Sequence, residues 1–276
     1  MDLDTLVSKI HRNFREVPQQ FSGLFYGDNG SGKTKLALEV AVRITPPNKK
    51  ILFVDTSAGW ETAINHPDLA NALDDRLSIL PFEGEDMMNT LGEALRYNYG
   101  GFADKFGCTI LDESTSMAQQ YLDVVTHGRA LKMKDKEEDK SDWPDFNIAG
   151  NKWRKTCALF HGVMGMHIIH LCHIRLDKVR GVEKASPAYQ PKVGQAIQRD
   201  LKMIGYCSVG RDGDEPVRLV QVVDDQFATA KTRIQYNGKE LPPVIKQADV
   251  VKAIAARYST STIDIAIDNQ PVEVEA

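Results

Sequence analysis

The sequence predicts an α/β fold in which a doubly wound, mainly parallel sheet carries an antiparallel extension at its C-terminal end. Short unbroken apolar runs, such as residues 51–54 and 108–111, are typical of strands buried on both faces. Segments with helical spacing alternate with these runs. The first strand also leads straight into a glycine-rich turn and then a helix, an arrangement found in sheets that bind phosphate groups.

The elements follow from the apolar pattern taken along the chain. Strands are predicted at residues 24–26, 51–54, 77–80, 108–111 and 167–172. Helices are predicted at residues 35–44, 85–97, 151–166 and 248–258. Alternating segments at 204–209, 217–223 and 227–234, with a turn at 211–214, predict the antiparallel extension.

Composition divides the chain into one domain with appendages. Residues 1–20 are predicted to form a short helix that ends at Pro18, and residues 21–258 to form the α/β domain. Two polar stretches interrupt the domain, and we expect an insertion loop at 127–150 and a long loop at 176–195. The acidic segment 259–276 contains no Lys or Arg and is expected to be disordered.

The overall composition is that of an ordinary soluble protein. The 276 residues carry a net charge of −4, and no apolar run approaches the roughly 20 residues that span a bilayer. The acidic start of the chain is unlike a signal peptide, so a cytoplasmic protein without membrane partners is expected. The four cysteines form no C-x-x-C pair and are predicted to be buried free thiols.

The central motif reads G-x-x-x-x-G-K-T, which is a Walker A phosphate loop. Its residues are Gly27, Asp28, Asn29, Gly30, Ser31, Gly32, Lys33 and Thr34. The glycines allow backbone N–H groups to surround a polyphosphate, Lys33 would reach the β- and γ-phosphates, and Thr34 would ligate Mg²⁺. The motif therefore predicts binding of a nucleoside triphosphate, with ATP favoured over GTP but not distinguished from it.

Acidic residues at strand ends are candidates for the metal site and the general base. Asp112 ends an apolar strand in the position of a Walker B aspartate, and Glu113 beside it is the favoured residue to polarise the attacking water. Asp55, at the end of the second strand, is predicted to face the nucleotide. Asp55 and Glu61 remain alternatives to Glu113 as the base.

The segment after the fifth strand could contact nucleic acid. His173 follows that strand and is a candidate polar sensor beside the nucleotide. The stretch from residue 175 to 192 has a net charge of +3 and includes an aromatic residue, as a single-strand-binding loop requires. The candidate DNA-binding residues are Arg175, Lys178, Arg180, Lys184, Tyr189 and Lys192. A solvated surface loop is the alternative.

The order of these parts resembles a RecA-type recombinase core. A Walker A loop, a strand that ends near an acidic site, a Walker B strand, and a strand that ends in a polar residue before a basic loop follow one another over residues 20–245. The chain is most similar to the short phage-encoded RecA/RadA-like ATPases of the Sak group, which act in single-strand annealing. The resemblance implies a RecA-like P-loop NTPase fold that uses ATP and Mg²⁺.

The resemblance also implies roles for particular residues. His-Ile-Arg at 173–175 is similar to the Gln-Ile-Arg of the recombinase switch strand, so His173 would sense the γ-phosphate. The segment 230–233 resembles the stretch whose cations reach a neighbouring subunit's ATP, which makes Lys231 and Arg233 candidate trans-acting residues and implies a homo-oligomer. The chain departs from the family at Ser57, near which recombinases carry their catalytic glutamate.

The sequence therefore predicts an ATPase that binds single-stranded DNA and promotes annealing or strand pairing in phage-type recombination or replication, in the host cytoplasm if it is phage-encoded. A helicase-loading or motor ATPase on the same core is one alternative. The other is a nucleotide-gated module with little hydrolysis, whose partner is a single-strand-binding or other replication protein.

Overall fold

A computed structural model of the chain describes residues 19–133, 137, 140–179, 181–189 and 191–259, with the backbone alone for residues 191–193, 195, 196 and 212. The helix predicted at 1–20 and the tail predicted at 259–276 lie, except for residues 19, 20 and 259, outside the described residues. Their assignments therefore stay predictions.

The strands fall into one large sheet and two small hairpins. The strands are β1 (Ser22–Gly27), β2 (Lys50–Asp55), β3 (Leu77–Pro81), β4 (Phe106–Asp112), β5 (His167–Cys172), β6 (Ile174–Val179), β7 (Val182–Pro187), β8 (Met203–Asp212), β9 (Glu215–Gln221), β10 (Lys231–Thr232), β11 (Gln235–Tyr236), β12 (Lys239–Glu240) and β13 (Val244–Lys246). Within the described residues, the large sheet has nine strands, in the order β13-β9-β8-β1-β5-β4-β2-β3 with β10 beside β8. The remaining strands form the β6–β7 and β11–β12 hairpins.

The sheet is parallel at its centre and antiparallel at one side. Strands β3, β2, β4, β5, β1 and β8 pair in parallel. Strands β9, β10 and β13 add to them in antiparallel fashion. The predicted fold class, an α/β sheet that is mainly parallel with an antiparallel C-terminal extension, is confirmed.

Helices cover both faces of the sheet. They are α1 (Lys33–Ile44), α2 (Pro67–Leu73), α3 (Glu85–Arg96), α4 (Ser114–Ala130), α5 (Trp143–His161), α6 (Pro191–Asp200) and α7 (Gln247–Tyr258). One hydrophobic core joins the sheet to α1, α2 and α7. A second core joins the opposite face to α3, α4, α5 and α6. Because both faces are covered, β2 and β4 are apolar along most of their length, as the unbroken runs in the sequence indicated.

The parallel strands bring the functional residues to one edge. Strands β1, β2, β4 and β5 end at Gly27, Asp55, Asp112 and Cys172. In the pairing of β2 with β4, Asp55 lies directly opposite Asp112. Residues that are far apart in sequence therefore meet at the carboxyl edge of the sheet, where ligands of open α/β sheets bind.

The insertion loop expected at 127–150 is wrong in its bounds, because α4 runs to Ala130 and α5 already begins at Trp143. Asp142 and Asp145 form a reciprocal capping box at the start of α5, which satisfies backbone N–H groups that the helix leaves free. The pattern of an aspartate, a proline in the first turn and a second aspartate could have indicated this start.

The prediction of a long loop at 176–195 is also wrong, because these residues form regular secondary structure. Most of the segment belongs to the β6–β7 hairpin and to α6, with a turn at Gly181, whose φ is +84°. Leu176, Val179 and Val182 occupy this hairpin together with the charged residues, so its apolar residues pair across strands despite the polar composition. Charge had obscured the strand pattern.

Two further expectations concern the chain as a whole. The four cysteines are buried free thiols, as predicted. In the part of the chain that the structure describes, no helix is long and apolar enough to cross a membrane.

Candidate functional site

The phosphate loop leads from β1 into α1 and leaves the start of that helix open. Gly32 adopts a left-handed conformation at the N-cap, and no side chain caps the helix. The first N–H groups of α1 are therefore available to an anion, which the helix dipole also favours. Lys33 is buried and donates from Nζ to the carbonyl oxygens of Gly27 and Asp28 at 3.0 Å each, so its ammonium group lies within the loop.

The hydroxyl of Thr34 and the carboxylate of Asp112 meet beside the loop. Thr34 Oγ1 donates to Asp112 Oδ2 at 3.3 Å, which joins the Walker A helix to the end of β4. Gly59 makes room for this carboxylate, since a Cβ at that position would overlap Asp112 Oδ2. Two oxygen ligands of the kind that Mg²⁺ prefers thus lie together at the carboxyl edge of the sheet.

Asp112 sits in an environment that disfavours its negative charge. Its side chain is 3% exposed. Burial, followed by the nearby carboxylates of Glu113 and Asp55, raises the pKa of Asp112 to about 7, although the Thr34 hydroxyl and Lys33 oppose the shift. A cation bound at Asp112 would relieve this unfavourable charge, so the residues present fit a divalent metal.

Glu113 and His173 face each other across the same pocket. His173 Nε2 lies 3.0 Å from Glu113 Oε2, but the two groups are not oriented for a hydrogen bond. Among the described residues, Glu113 Oε2 therefore accepts no well-oriented hydrogen bond, although it is buried beside the His173 imidazole. Burial raises the pKa of Glu113, against the opposing effects of Lys33 and of the backbone of His173, and burial followed by Lys33 lowers the pKa of His173.

His173 joins the large sheet to the β6–β7 hairpin. It is the single residue between β5 and β6, its backbone N–H donates to Thr115 Oγ1 at 3.1 Å, and its carbonyl accepts from the backbone N–H of Ala188 at 3.0 Å. A side chain in the pocket is thus one residue away from the start of the hairpin.

Asp55 and Glu61, the two alternatives to Glu113 as the base, both lie outside the pocket lining. The carboxylate of Asp55 accepts hydrogen bonds from the backbone N–H groups of Ser57, Ala58 and Gly59 at 2.9–3.2 Å, so it shapes the turn after β2. Glu61 is exposed on the short helix Gly59–Ala63. Of the three carboxylates weighed as the base, Glu113 is the one that lines the pocket. The nucleotide contact predicted for Asp55 stays a prediction.

The pocket that these groups line has a volume of about 420 Å³, within the size range of small-molecule sites. It also includes Ser57 and Arg218, the latter a residue that no sequence motif indicated. Gln247, at the start of α7, donates from Nε2 to the carbonyl of Ser31 at 2.8 Å and so fixes the loop from 216 residues away. No local pattern marks either residue, because Arg218 reaches the loop through the sheet and Gln247 through the start of α7.

The predicted DNA-binding cations on the hairpin are partly engaged within the chain. Arg175 makes two hydrogen bonds of 2.8 Å to the carboxylate of Asp177 and a third to the carbonyl of Tyr189. Lys184 Nζ lies 3.0 Å from both carboxylate oxygens of Asp224. Lys178 is exposed near the turn. Arg180 and the side chain of Lys192 lie outside the described residues.

Tyr189 does not offer an aromatic face for stacking, contrary to the expectation. Its side chain is 2% exposed and belongs to the core that joins the sheet to α5 and α6. The ring is buried because the chain turns back from β7 into α6 at this point, which places residue 189 against the sheet.

Lys231 and Arg233 lie near the amino ends of the parallel strands, whereas the phosphate loop lies at their carboxyl ends. Lys231 pairs with Ile204 at the start of β8, which runs parallel to β1, and its Nζ donates to the carbonyls of Gln198 and Arg199 at 2.8 and 3.3 Å. The exposed Arg233 lies two residues further along the chain. Neither reaches the pocket of its own chain, so the trans-acting role stays a prediction that requires a second subunit.

Comparisons with known proteins give little beyond this geometry. No protein-family model matches the chain, and no curated protein matches it. Among solved structures, the chain is similar to the crystal structure of the RadB recombinase, with a TM-score of 0.47 and 13% sequence identity over 74% of this chain and 81% of that chain. At this level of similarity, no residue role passes from that protein to this one.

Proposed function

We propose that this protein is an ATP- and Mg²⁺-dependent P-loop ATPase of the RecA-like type that binds single-stranded DNA. Its proposed role is to promote annealing or strand pairing in phage-type recombination or replication. The observation that carries the ATPase proposal is the meeting of Lys33, Thr34, Asp112 and Glu113 around one pocket at the open start of α1. The DNA-related part rests on the order of motifs along the chain.

Each group in the pocket has a defined task in this proposal. Lys33, which now donates to loop carbonyls, exchanges these partners for phosphate oxygens when ATP binds. Glu113, whose buried carboxylate lines the pocket, accepts the proton of the water that attacks the γ-phosphorus, while the bond to the bridging oxygen breaks and ADP leaves. The raised pKa of Glu113 favours this proton transfer.

Thr34 and Asp112 are the residues that would hold Mg²⁺, since their oxygens meet beside the loop at 3.3 Å. The ion would neutralise negative charge on the phosphate oxygens of the nucleotide. Its charge would also keep Asp112 ionised despite burial.

His173 is proposed to couple the nucleotide to the hairpin. Its imidazole faces Glu113, and its backbone begins the path into β6. Bound triphosphate would reposition His173 and, through it, the β6–β7 hairpin, where exposed Lys178 and neighbouring cations would meet DNA phosphates. Lys231 and Arg233 would complete the site of a neighbouring subunit.

The proposal is tested by ATP hydrolysis of the purified protein, with and without single-stranded DNA and at two protein concentrations. Stimulation by DNA and a rate that rises more than proportionally with protein are expected, because the site is shared between subunits. Lys33→Ala should abolish the activity. Hydrolysis that is insensitive to both DNA and concentration would contradict the proposal.

A nucleotide-gated binding module with little hydrolysis is a second candidate, and the hairpin favours it. Two of its cations are already paired with Asp177 and Asp224, whereas Leu176 and Val179 are exposed. Such a surface suits a protein partner better than phosphates. Slow turnover, together with ATP-dependent binding of a single-strand-binding protein that Leu176→Ser abolishes, would favour this candidate over DNA pairing.

A further inference from the structure

We infer that Arg218 is a phosphate-binding residue of the nucleotide site, supplied by the same chain. This inference rests on the proposed nucleotide binding at the phosphate loop. It adds a second cation to Lys33, from a strand that no sequence motif connects to the loop.

The sheet carries Arg218 to the loop. Strand β8 pairs with β1 up to the pair Gly27–Cys207, and β9 returns beside β8 with Arg218 opposite Val209. Arg218 therefore lies two residues beyond the end of β1, at the level of the phosphate loop. Its position in the sheet, rather than a flexible surface loop, sets this approach.

The side chain of Arg218 packs against the loop backbone. A Cβ placed on Gly32 would come within 2.6 Å of Arg218 Cδ and 2.9 Å of its Nε. The φ of Gly32 is +88°, so glycine serves two purposes here: it allows the left-handed turn, and it leaves the space that the arginine occupies. The guanidinium thus approaches the point where the open N–H groups of α1 begin.

The guanidinium has no partner within the described part of the chain, where it makes neither a hydrogen bond nor an ion pair. The other cations near the loop are engaged: Lys33 donates to loop carbonyls, and Lys35 pairs with Glu39 at 3.1 Å. An arginine presents several donors in a planar fork that matches a phosphate group, and this match requires donors that are not already in use.

A solvated surface arginine is the competing explanation, because the Arg218 side chain is exposed. The two explanations differ in what removing the guanidinium does to anion binding. Arg211 is a matched control, since it is an exposed arginine of the same β8–β9 hairpin that does not line the pocket.

The test is calorimetric titration of the full chain, in Mg²⁺, with the hydrolysis-resistant analogue AMP-PNP, and competition by inorganic triphosphate. Arg218→Ala should weaken AMP-PNP binding about 10- to 100-fold, as expected for loss of charged hydrogen bonds. It should weaken triphosphate competition by a similar factor. Arg218→Lys should restore part of the affinity, and Arg211→Ala should stay within about twofold of the wild type. Equal melting temperatures would show that the variants fold.

The outcomes separate this inference from the proposed function. Wild-type protein that does not bind AMP-PNP would overturn both. Wild-type binding that Arg218→Ala leaves unchanged would overturn the inference alone. Weaker AMP-PNP binding with unchanged triphosphate competition would also overturn it, because the arginine would then contact the base or ribose and not the phosphates.

Discussion

The phosphate-loop edge of the sheet and the β6–β7 hairpin both carry basic side chains, but the two regions use them differently. At the loop, Lys33 donates to carbonyls of the loop itself and Arg218 lacks a partner in the described structure, so both can turn to an anionic ligand. On the hairpin, Arg175 and Lys184 form ion pairs with Asp177 and Asp224. A cation that must leave a carboxylate binds phosphate at a greater cost.

The comparison shows that a sequence motif predicts where charged groups lie, whereas the net charge of a segment does not. In the Walker A motif, the spacing of glycines, lysine and threonine determines the backbone, and the backbone determines where the charges lie. A net positive charge along a segment does not reveal which cations the fold has already paired. We therefore expect substitutions at the loop edge to have larger functional effects than substitutions on the hairpin.

Among substitutions that leave the phosphate loop intact, the largest effect is expected for Glu113→Gln, which removes the proton acceptor from the pocket. The rate of ATP hydrolysis should fall about 10²- to 10⁴-fold, the usual contribution of a general base, whereas AMP-PNP binding should persist. Steady-state hydrolysis and calorimetry measure the two effects. The matched control is Glu61→Gln, which changes an exposed carboxylate outside the pocket lining. A greater loss of rate in Glu61→Gln than in Glu113→Gln would reverse the assignment of the base.

Without nucleotide, Asp112→Asn should be more stable than the wild-type protein, and its advantage should grow as the pH rises. Burial raises the folded-state pKa of Asp112 from its ordinary value to about 7, so the native protein binds more protons than the unfolded chain between about pH 4 and pH 7. The free energy of unfolding therefore falls as pH rises through this range, and the asparagine variant escapes this loss. Its advantage should grow by about 2–3 kcal/mol between pH 5 and pH 8.

Denaturant unfolding at several pH values, without Mg²⁺ or nucleotide, measures this advantage. Saturating Mg²⁺ and AMP-PNP should diminish it, because the asparagine variant loses the metal ligand. A difference between the two proteins that is the same at every pH would mean that Asp112 titrates normally.

Lys178→Ala should have a moderate effect on DNA binding and leave nucleotide binding unchanged. Lys178 is the exposed cation described on the hairpin, so its loss should weaken single-stranded DNA binding a few-fold. The slope of log K against log salt concentration should become shallower by about 0.7, the value of one phosphate contact. Fluorescence anisotropy over a range of salt concentrations measures both quantities. Lys239→Ala, an exposed lysine on the β11–β12 hairpin, is the control. Equal salt dependence in the two variants would remove the hairpin from the DNA site.

The smallest effect on DNA is expected for Tyr189→Leu. The ring is buried in the core, so DNA affinity should change less than about twofold, whereas loss of base stacking would cost about 1–3 kcal/mol. Anisotropy at fixed salt measures the affinity, and a melting curve checks that the variant folds. A large loss of DNA affinity in a folded variant would restore Tyr189 to the DNA-binding surface.

Much of the fold and of the nucleotide site could be predicted from the sequence, for a physical reason. The apolar runs of β2 and β4 and the Walker A spacing are local patterns, and parallel strands bring their carboxyl ends together, so Asp112 could be placed beside Thr34. Arg218 could not, because β8 pairs with β1 and β9 with β8, which brings this residue to the loop from a distant part of the sequence. Gln247 could not either, because it lies at the start of α7, 216 residues from its partner Ser31.

The hairpin could not be predicted because charge and strand pattern coincide there. Arg175 with Asp177 and Lys178 with Glu183 look like a solvated segment in sequence, but in the structure the first pair is an ion pair on one strand and the second faces across the hairpin. The burial of Tyr189 depends on the turn from β7 into α6, and no single residue in the sequence predicts this turn.

The central claim is that the nucleotide pocket controls the hairpin through His173. The measurement that tests it most directly is the affinity for a fluorescent single-stranded oligonucleotide with Mg²⁺ and either AMP-PNP or ADP bound. We predict at least about tenfold tighter binding with AMP-PNP, and loss of this difference in His173→Ala, because the imidazole facing Glu113 begins the path to β6. Equal affinity with the two nucleotides in the wild-type protein would contradict the account.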